Sequence, residues 1–113
     1  MKLVTLRALW DIYNRDYFAS SLHPIPILLT RARAYWGKYE YHESGARTAI
    51  YISGVKNKSL HDFEDSLKHE MIHQYLREVL GEPDGPLDHG PKFLEFAQRL
   101  QIRLDCLGLP GYE

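Results

Sequence analysis

The chain has 113 residues and a mass of 13.2 kDa, which fits one domain over residues 1–113 and leaves no room for two. Hydrophobic residues make up 44% and charged residues 26%, so wholesale disorder is excluded, and a formal charge of −1 gives no overall basic field that calls for nucleic acid. One cysteine, Cys106, excludes an internal disulfide and a four-cysteine zinc ribbon, and no apolar run approaches the roughly 20 residues that cross a bilayer.

Leu3 to Ser20 has a helical period, with Leu6, Leu9/Trp10, Tyr13 and Tyr17 on one face and Lys2, Arg7, Asp11, Arg15 and Asp16 between them. The opening stretch loses its apolar character at Arg7, too early for a signal peptide, so a cytoplasmic setting with no membrane partner is expected. His23-Pro24-Ile25-Pro26 ends the helix, because proline lacks an N–H and pushes its predecessor to extended geometry. Three short strands are predicted next: Ile27–Tyr35 ending at Gly37, Lys38–Glu43 turned by Ser44-Gly45, and the β-branched and aromatic Thr48–Ser53 closed by Gly54. Their short connections predict an antiparallel meander. Ser59, with Asp62 three residues on, is a good N-cap for a helix that runs to Leu80 and stops at Gly81. Gly81–Gly90 is a glycine- and proline-rich loop, and Pro91 suits the first turn of a last helix reaching about Asp105, ended by Gly108 and Pro110. The order predicts an α+β domain: N-terminal helix, three-stranded mainly antiparallel sheet, central helix, loop, C-terminal helix.

The feature that carries chemistry is His69-Glu70-Met71-Ile72-His73, an HExxH on the long second helix. A chain with six histidines and this glutamate content holds such a motif by chance about 2% of the time, so its weight comes from the helix that cap and period predict independently. Four residues of helix separate two imidazoles by about 40° around the axis and one turn along it, which lets both reach one Zn2+. Glu70, one residue on, points toward the metal's water, where it can take a proton instead of ligating. A third ligand must come from elsewhere. Glu78, Glu82, Asp84, Asp88, His89 and Glu95 lie downstream; Glu78 points away by about 140°. His89, in a loop poised to swing back over the helix, is favoured, with Glu95 on the last helix as the alternative.

His69-Glu70-Met71-Ile72-His73-Gln74-Tyr75 followed by His89-Gly90-Pro91-Lys92-Phe93 resembles the SprT-like zinc metalloprotease domain, whose pattern is HExxH and, after a loop, a third histidine in an HGxxF-like stretch. Leu9-Trp10-Asp11-Ile12-Tyr13-Asn14 with Tyr17-Phe18 and Leu22 is similar to that family's opening helix. The Gly37 turn and the Thr48–Ser53 strand match in order. The resemblance covers roughly residues 5 to 104. It implies a zincin-like fold, one zinc ion on His69, His73 and His89, and Glu70 as general base of a metalloendopeptidase. The family includes Spartan-type proteases, which degrade proteins crosslinked to DNA. Many members continue into a cysteine-rich zinc ribbon, and with Cys106 alone this sequence is expected to hold the protease core only.

The expected substrate is a protein or peptide bound extended beside a sheet edge, with Thr48–Ser53 as the candidate strand. Tyr75, Arg77, His42 and Tyr112 are candidate oxyanion partners. His23, His42 and His61 read as surface or loop histidines, Cys106 as a small core residue, and the tyrosines and tryptophans mainly as core. The near-neutral total hides an asymmetry. Residues 1–58 carry nine Lys+Arg against four acids, and residues 59–113 carry five against eleven. Arg31 to Tyr39 interleaves charge with aromatics, read first as a half-buried hairpin. Two other functions compete: a nucleic-acid adaptor with structural zinc that binds DNA through Arg31, Arg33, Lys38 and Arg47, and a zinc hydrolase of a small amide.

Overall fold

The structure, a computed structural model, describes residues 1–82 and 89–103. Among these are three helices and one three-stranded mixed sheet, an α+β arrangement. Asp84, Asp88, Cys106, Gly108, Pro110 and Tyr112, to which roles are attached above, lie outside the described residues.

Helix α1 spans Leu3–Phe18 and buries Leu6, Trp10, Tyr13, Asn14 and Phe18. It ends two residues before the expected Ser20, with Ala19 and Ser20 both left-handed at φ 52° and 59°. Asn14 then clasps the departing chain: its amide donates to the Leu22 carbonyl at 3.1 Å and its carbonyl accepts from the Leu22 N–H at 3.0 Å.

The strands are β1 (Ile27–Thr30), β2 (Gly37–Glu40) and β3 (Ala49–Ser53), in the order β1-β3-β2. β2 pairs antiparallel with β3, as expected. β1 pairs parallel with β3, Ile27 opposite Ile50 and Thr30 opposite Ser53, so the predicted meander is wrong. The physical reason lies in β3 itself. Its near-continuous apolar run is buried on both faces, Ala49, Ile50, Ile52 and Ser53 all buried, and such a strand takes the centre of a sheet. β1 and β2 must therefore flank it, and residues 31–36 cross the end of β3. Ser53 fastens that crossing: its hydroxyl donates to the Ala32 carbonyl at 2.6 Å and its N–H to the Trp36 carbonyl at 2.9 Å. These contacts end β1 at Thr30, five residues short of the predicted Tyr35. Gly37, expected to end a strand, instead begins β2 and is buried.

Helix α2, Leu60–Glu78, starts on the expected capping box. The Asp62 N–H donates to Ser59 Oγ at 3.1 Å, and the Ser59 N–H donates to the Asp62 carboxylate at 3.3 Å. Its buried apolar residues Phe63, Leu67, Met71, Ile72 and Leu76 join those of α1, the sheet and α3 in one core. The helix is also buried on its polar side, at Asp65, Ser66, His69, Glu70, His73 and Gln74. Three of these are satisfied away from the histidines. Gln74 accepts from Trp10 Nε1 at 3.2 Å and donates to the His23 carbonyl at 2.9 Å; the Ser66 hydroxyl donates to Asn57 at 2.7 Å; Asp65 accepts from Arg103 at 2.6 Å.

Burial alone would raise the Asp62 carboxyl, but hydrogen bonds from the Lys58 and Ser59 N–H groups and from Arg103 outweigh it and hold the group below its ordinary 3.8. A carboxyl depressed in the folded state stabilises above its unfolded pKa and loses that contribution as pH falls through the folded value. Asp62→Ala is expected to cost about 1–2 kcal/mol at neutral pH through the cap and the Arg103 pair. Thermal melts should show that gap to the parent protein closing below pH 3.8; a gap independent of pH would contradict the assignment.

Helix α3 spans Pro91–Arg99, with proline in its first turn as expected, and stops six residues before the predicted Asp105. The stop is a left-handed Gln101 (φ 59°). Gln101 N–H donates to Gln98 and Ile102 N–H to Ala97, the two bonds of a Schellman cap, with Ile102 and Ala97 both buried. Gln101 occupies the position where a glycine would have announced the stop. No helix among the described residues is long and apolar enough to cross a membrane.

Candidate metal centre

His69 and His73 leave α2 one turn apart and are both buried, at 0% and 2% exposure. His89, just ahead of α3, brings its ring over them. The ring centroids lie 5.2 Å apart for His69–His73, 4.8 Å for His69–His89 and 5.3 Å for His73–His89. His69 Nε2 and His89 Nε2 are 3.0 Å apart, and one nitrogen from each of the three rings falls within a 4.8 Å cluster. Three nitrogens held tetrahedrally at the usual zinc distance sit about 3.4 Å from one another, so small side-chain movements satisfy a metal ion. The three histidines are close enough to bind one.

Burial pushes the His69 imidazole well below its ordinary value of 6.5, and the neighbouring His73 and His89 add to the shift. The ring is therefore kept neutral, the form in which its lone pair can ligate.

Glu70 is fully buried on the adjoining part of α2. Its carboxyl lies against the backbone of Gly37 at the start of β2: a Cβ on Gly37 would stand 3.0 Å from Glu70 Oε2 and 3.2 Å from Cγ. Gly37 thus shapes the space in which the carboxylate sits. Gly37→Ala is expected to shift that carboxylate by a few tenths of an ångström and to cost about 1–3 kcal/mol by overpacking. Thermal denaturation with a structure of the variant checks this; an unmoved Glu70 at unchanged stability would contradict it.

Phe93 completes the centre. From the first turns of α3 its buried ring lies 4.8, 4.7 and 4.7 Å from the rings of His69, His73 and His89. It is an apolar platform that limits ring movement and water access. The HGxxF-like stretch contained both His89 and Phe93, but no role for the phenylalanine follows from the sequence. Gly37 was equally hidden, since its use depends on a contact with a residue thirty-three positions away.

The other candidates fall elsewhere. Glu95 is exposed on α3 and is not in the cluster. Glu78 accepts from the His23 N–H and from Gln74, and Glu82 pairs with Lys92. Tyr75 packs with Phe18 and Phe96, at 5.4 and 4.8 Å, on the α1–α3 side. Arg77 lies 4.2 Å over the Tyr41 ring, and His42 pairs with Glu40. The His61 side chain is exposed, within 3.4 Å of Asp65. β3, suggested above as the substrate strand, has a neighbour on each side and no open edge. Among the described strands β2 pairs on one side only, with β3, and the Ser53–Trp36 bond sets the register so that Lys38 and Glu40 bond toward β3.

The fold and site together define a small α+β domain in which two histidines of the central helix and one just ahead of the last helix lie close enough to bind a metal ion. Compared with models of known protein families and with curated protein sequences, the chain matches none.

Proposed function

We propose that this protein is a zinc-dependent metalloendopeptidase of the SprT-like, zincin type. The observation that carries the reading is that His89, twenty residues from His69 in sequence, meets the HExxH pair while Glu70 lies buried beside it. His69, His73 and His89 would hold the ion, and three imidazoles suit zinc with a fourth position open. When bound, zinc supplies Lewis acidity, lowering the pKa of water and polarising a carbonyl. The chain's own residues do the rest. Glu70 accepts a proton from the attacking water and returns it to the leaving nitrogen as the C–N bond breaks, so both fragments leave with balanced charge. Gly37 keeps the space that the carboxylate needs. The protein or peptide substrate lies extended along β2, beside the histidines and on the side away from β3.

The direct test is cleavage of an unfolded protein such as reduced, alkylated albumin by the purified chain. Expected is hydrolysis that requires zinc, stops with a chelator and returns when zinc is restored. Zinc-loaded protein inert toward every unfolded substrate would count against the reading.

A second feature favours a nucleic-acid role beside the first. Arg31 and Arg33 join Lys56 and Lys58 along two adjoining clefts at the end of the sheet, with Trp36 in the second and Lys56 Nζ 5.6 Å from its ring. Among the described residues no acid lines either cleft. Lys38 and Arg47, grouped with them from sequence, lie apart: Lys38 pairs with Glu40, and Arg47 sits in the β2–β3 loop. Charge plus an aromatic ring suits single-stranded DNA, which would bring bound proteins to the site. Salt-sensitive oligonucleotide binding that is lost in Arg33→Ala/Lys56→Ala would support this role, and salt-independent or absent binding would remove it.

A further inference from the structure

Arg77 follows His73 by four residues, as His73 follows His69, so the three side chains climb one face of α2 within about 80° of one another. Its Cα lies about 6 Å further along the axis than that of His73. β2 runs along this part of the helix. Near the strand's start Gly37 touches Glu70, and just past its end Tyr41 lies under the Arg77 guanidinium at 4.2 Å. The two contacts bracket His73 along the helix.

Arg77 is half-buried, yet among the described residues no carboxylate pairs with it. The nearby acids are occupied. Glu78, next on the helix, accepts from the His23 N–H and from Gln74, and Glu40, beside Tyr41 in the chain, is held by Lys38 and His42. A guanidinium over a ring face is attracted by the ring while its N–H groups stay able to bond a planar anion. This is a positioned cation, partly withdrawn from water, at one end of the strip where the substrate is to lie.

We propose that Arg77 is a specificity-determining residue that receives a carboxylate of the peptide substrate, giving the site a preference for acidic peptides. The proposal rests on the peptidase reading and adds the substrate class to it. The carboxylate has two sources, an acidic side chain or a free C-terminus, and the guanidinium binds either in the same way.

The test uses the full chain carrying Glu70→Gln, zinc-loaded, so that peptides bind without being cut. Fluorescent alanine-rich decapeptides carrying one Glu at successive positions are compared by anisotropy with their Gln counterparts, and C-terminal acids with C-terminal amides. Expected is roughly fivefold to tenfold tighter binding for one Glu position or for the free acid, which identifies the source. Arg77→Met, which keeps the apolar stem over Tyr41, should abolish the difference, and Arg77→Glu should turn the preference toward a Lys peptide. Equal binding of Glu and Gln peptides and of acids and amides, or a preference that survives in Arg77→Met, overturns the proposal. Cleavage of the same peptides by the chain with Glu70 intact is read separately. Cleavage without acidic preference sinks the role of Arg77 and leaves the peptidase standing. A preference lost in Arg77→Met with no cleavage of any peptide upholds the carboxylate site and sinks the peptidase.

Discussion

Glu70→Gln is expected to keep one zinc per chain and to lower kcat/KM for peptide hydrolysis by about 10²- to 10⁴-fold, the usual contribution of a positioned acid–base group. The substitution changes almost nothing else. Glutamine has the same shape, so it fits the space bounded by Gly37, and the three imidazoles belong to other residues. What it removes is the lone pair that accepts the proton and the charge that makes the acceptor basic. Three measurements separate the outcomes: metal content, thermal midpoint and peptide hydrolysis. Retained hydrolysis with intact zinc would defeat the role given to Glu70. Loss of zinc together with activity would instead make Glu70 a support of the metal site.

Zinc should raise the thermal midpoint of the parent protein strongly, and His89→Ala should remove most of that rise. A ligand that binds only the folded state stabilises it by about 4 kcal/mol at a thousand times its dissociation constant, or roughly 10–20 °C for a domain of this size. Removing one of three ligands is expected to weaken zinc by more than about 100-fold, since loss of mere supporting contacts already costs 10- to 100-fold. The metal-free variant should melt close to the metal-free parent, because His89 is only half-buried and α2 is set by core residues on its other sides. Glu95→Ala, on the exposed face of α3, should leave the zinc-dependent rise intact. A rise that His89→Ala leaves unchanged would break the three-histidine centre.

The parts of this site that local chemistry dictates were legible in the sequence. HExxH on a capped, periodic segment fixes two imidazoles on one helix face, because helical geometry alone sets their spacing. Ser59 and Asp62 fix where that helix begins, since the cap is made within four residues. Pro91 at the start of α3 follows the same logic. The choice of His89 over Glu95 drew on the loop's capacity to return, and the folded chain brings His89, not Glu95, to the pair.

What the sequence could not decide depends on contacts between distant segments. The β1–β3 pairing is parallel because β3 is buried on both faces and must lie between its neighbours, which no short connection reveals. That inversion makes β2, not Thr48–Ser53, an outer strand of the sheet among the described residues. Helix α3 ends at Arg99 ahead of a left-handed Gln101, a turn held by two backbone bonds and the burial of Ala97 and Ile102. Gly37 against Glu70, Phe93 beneath three imidazoles and Arg77 over Tyr41 are likewise products of packing. Local sequence determined the histidine pair and the helix that carries it; tertiary structure decided that His89 joins the pair and what surrounds all three, because burial and proximity of distant segments are properties of the whole fold and of no single segment.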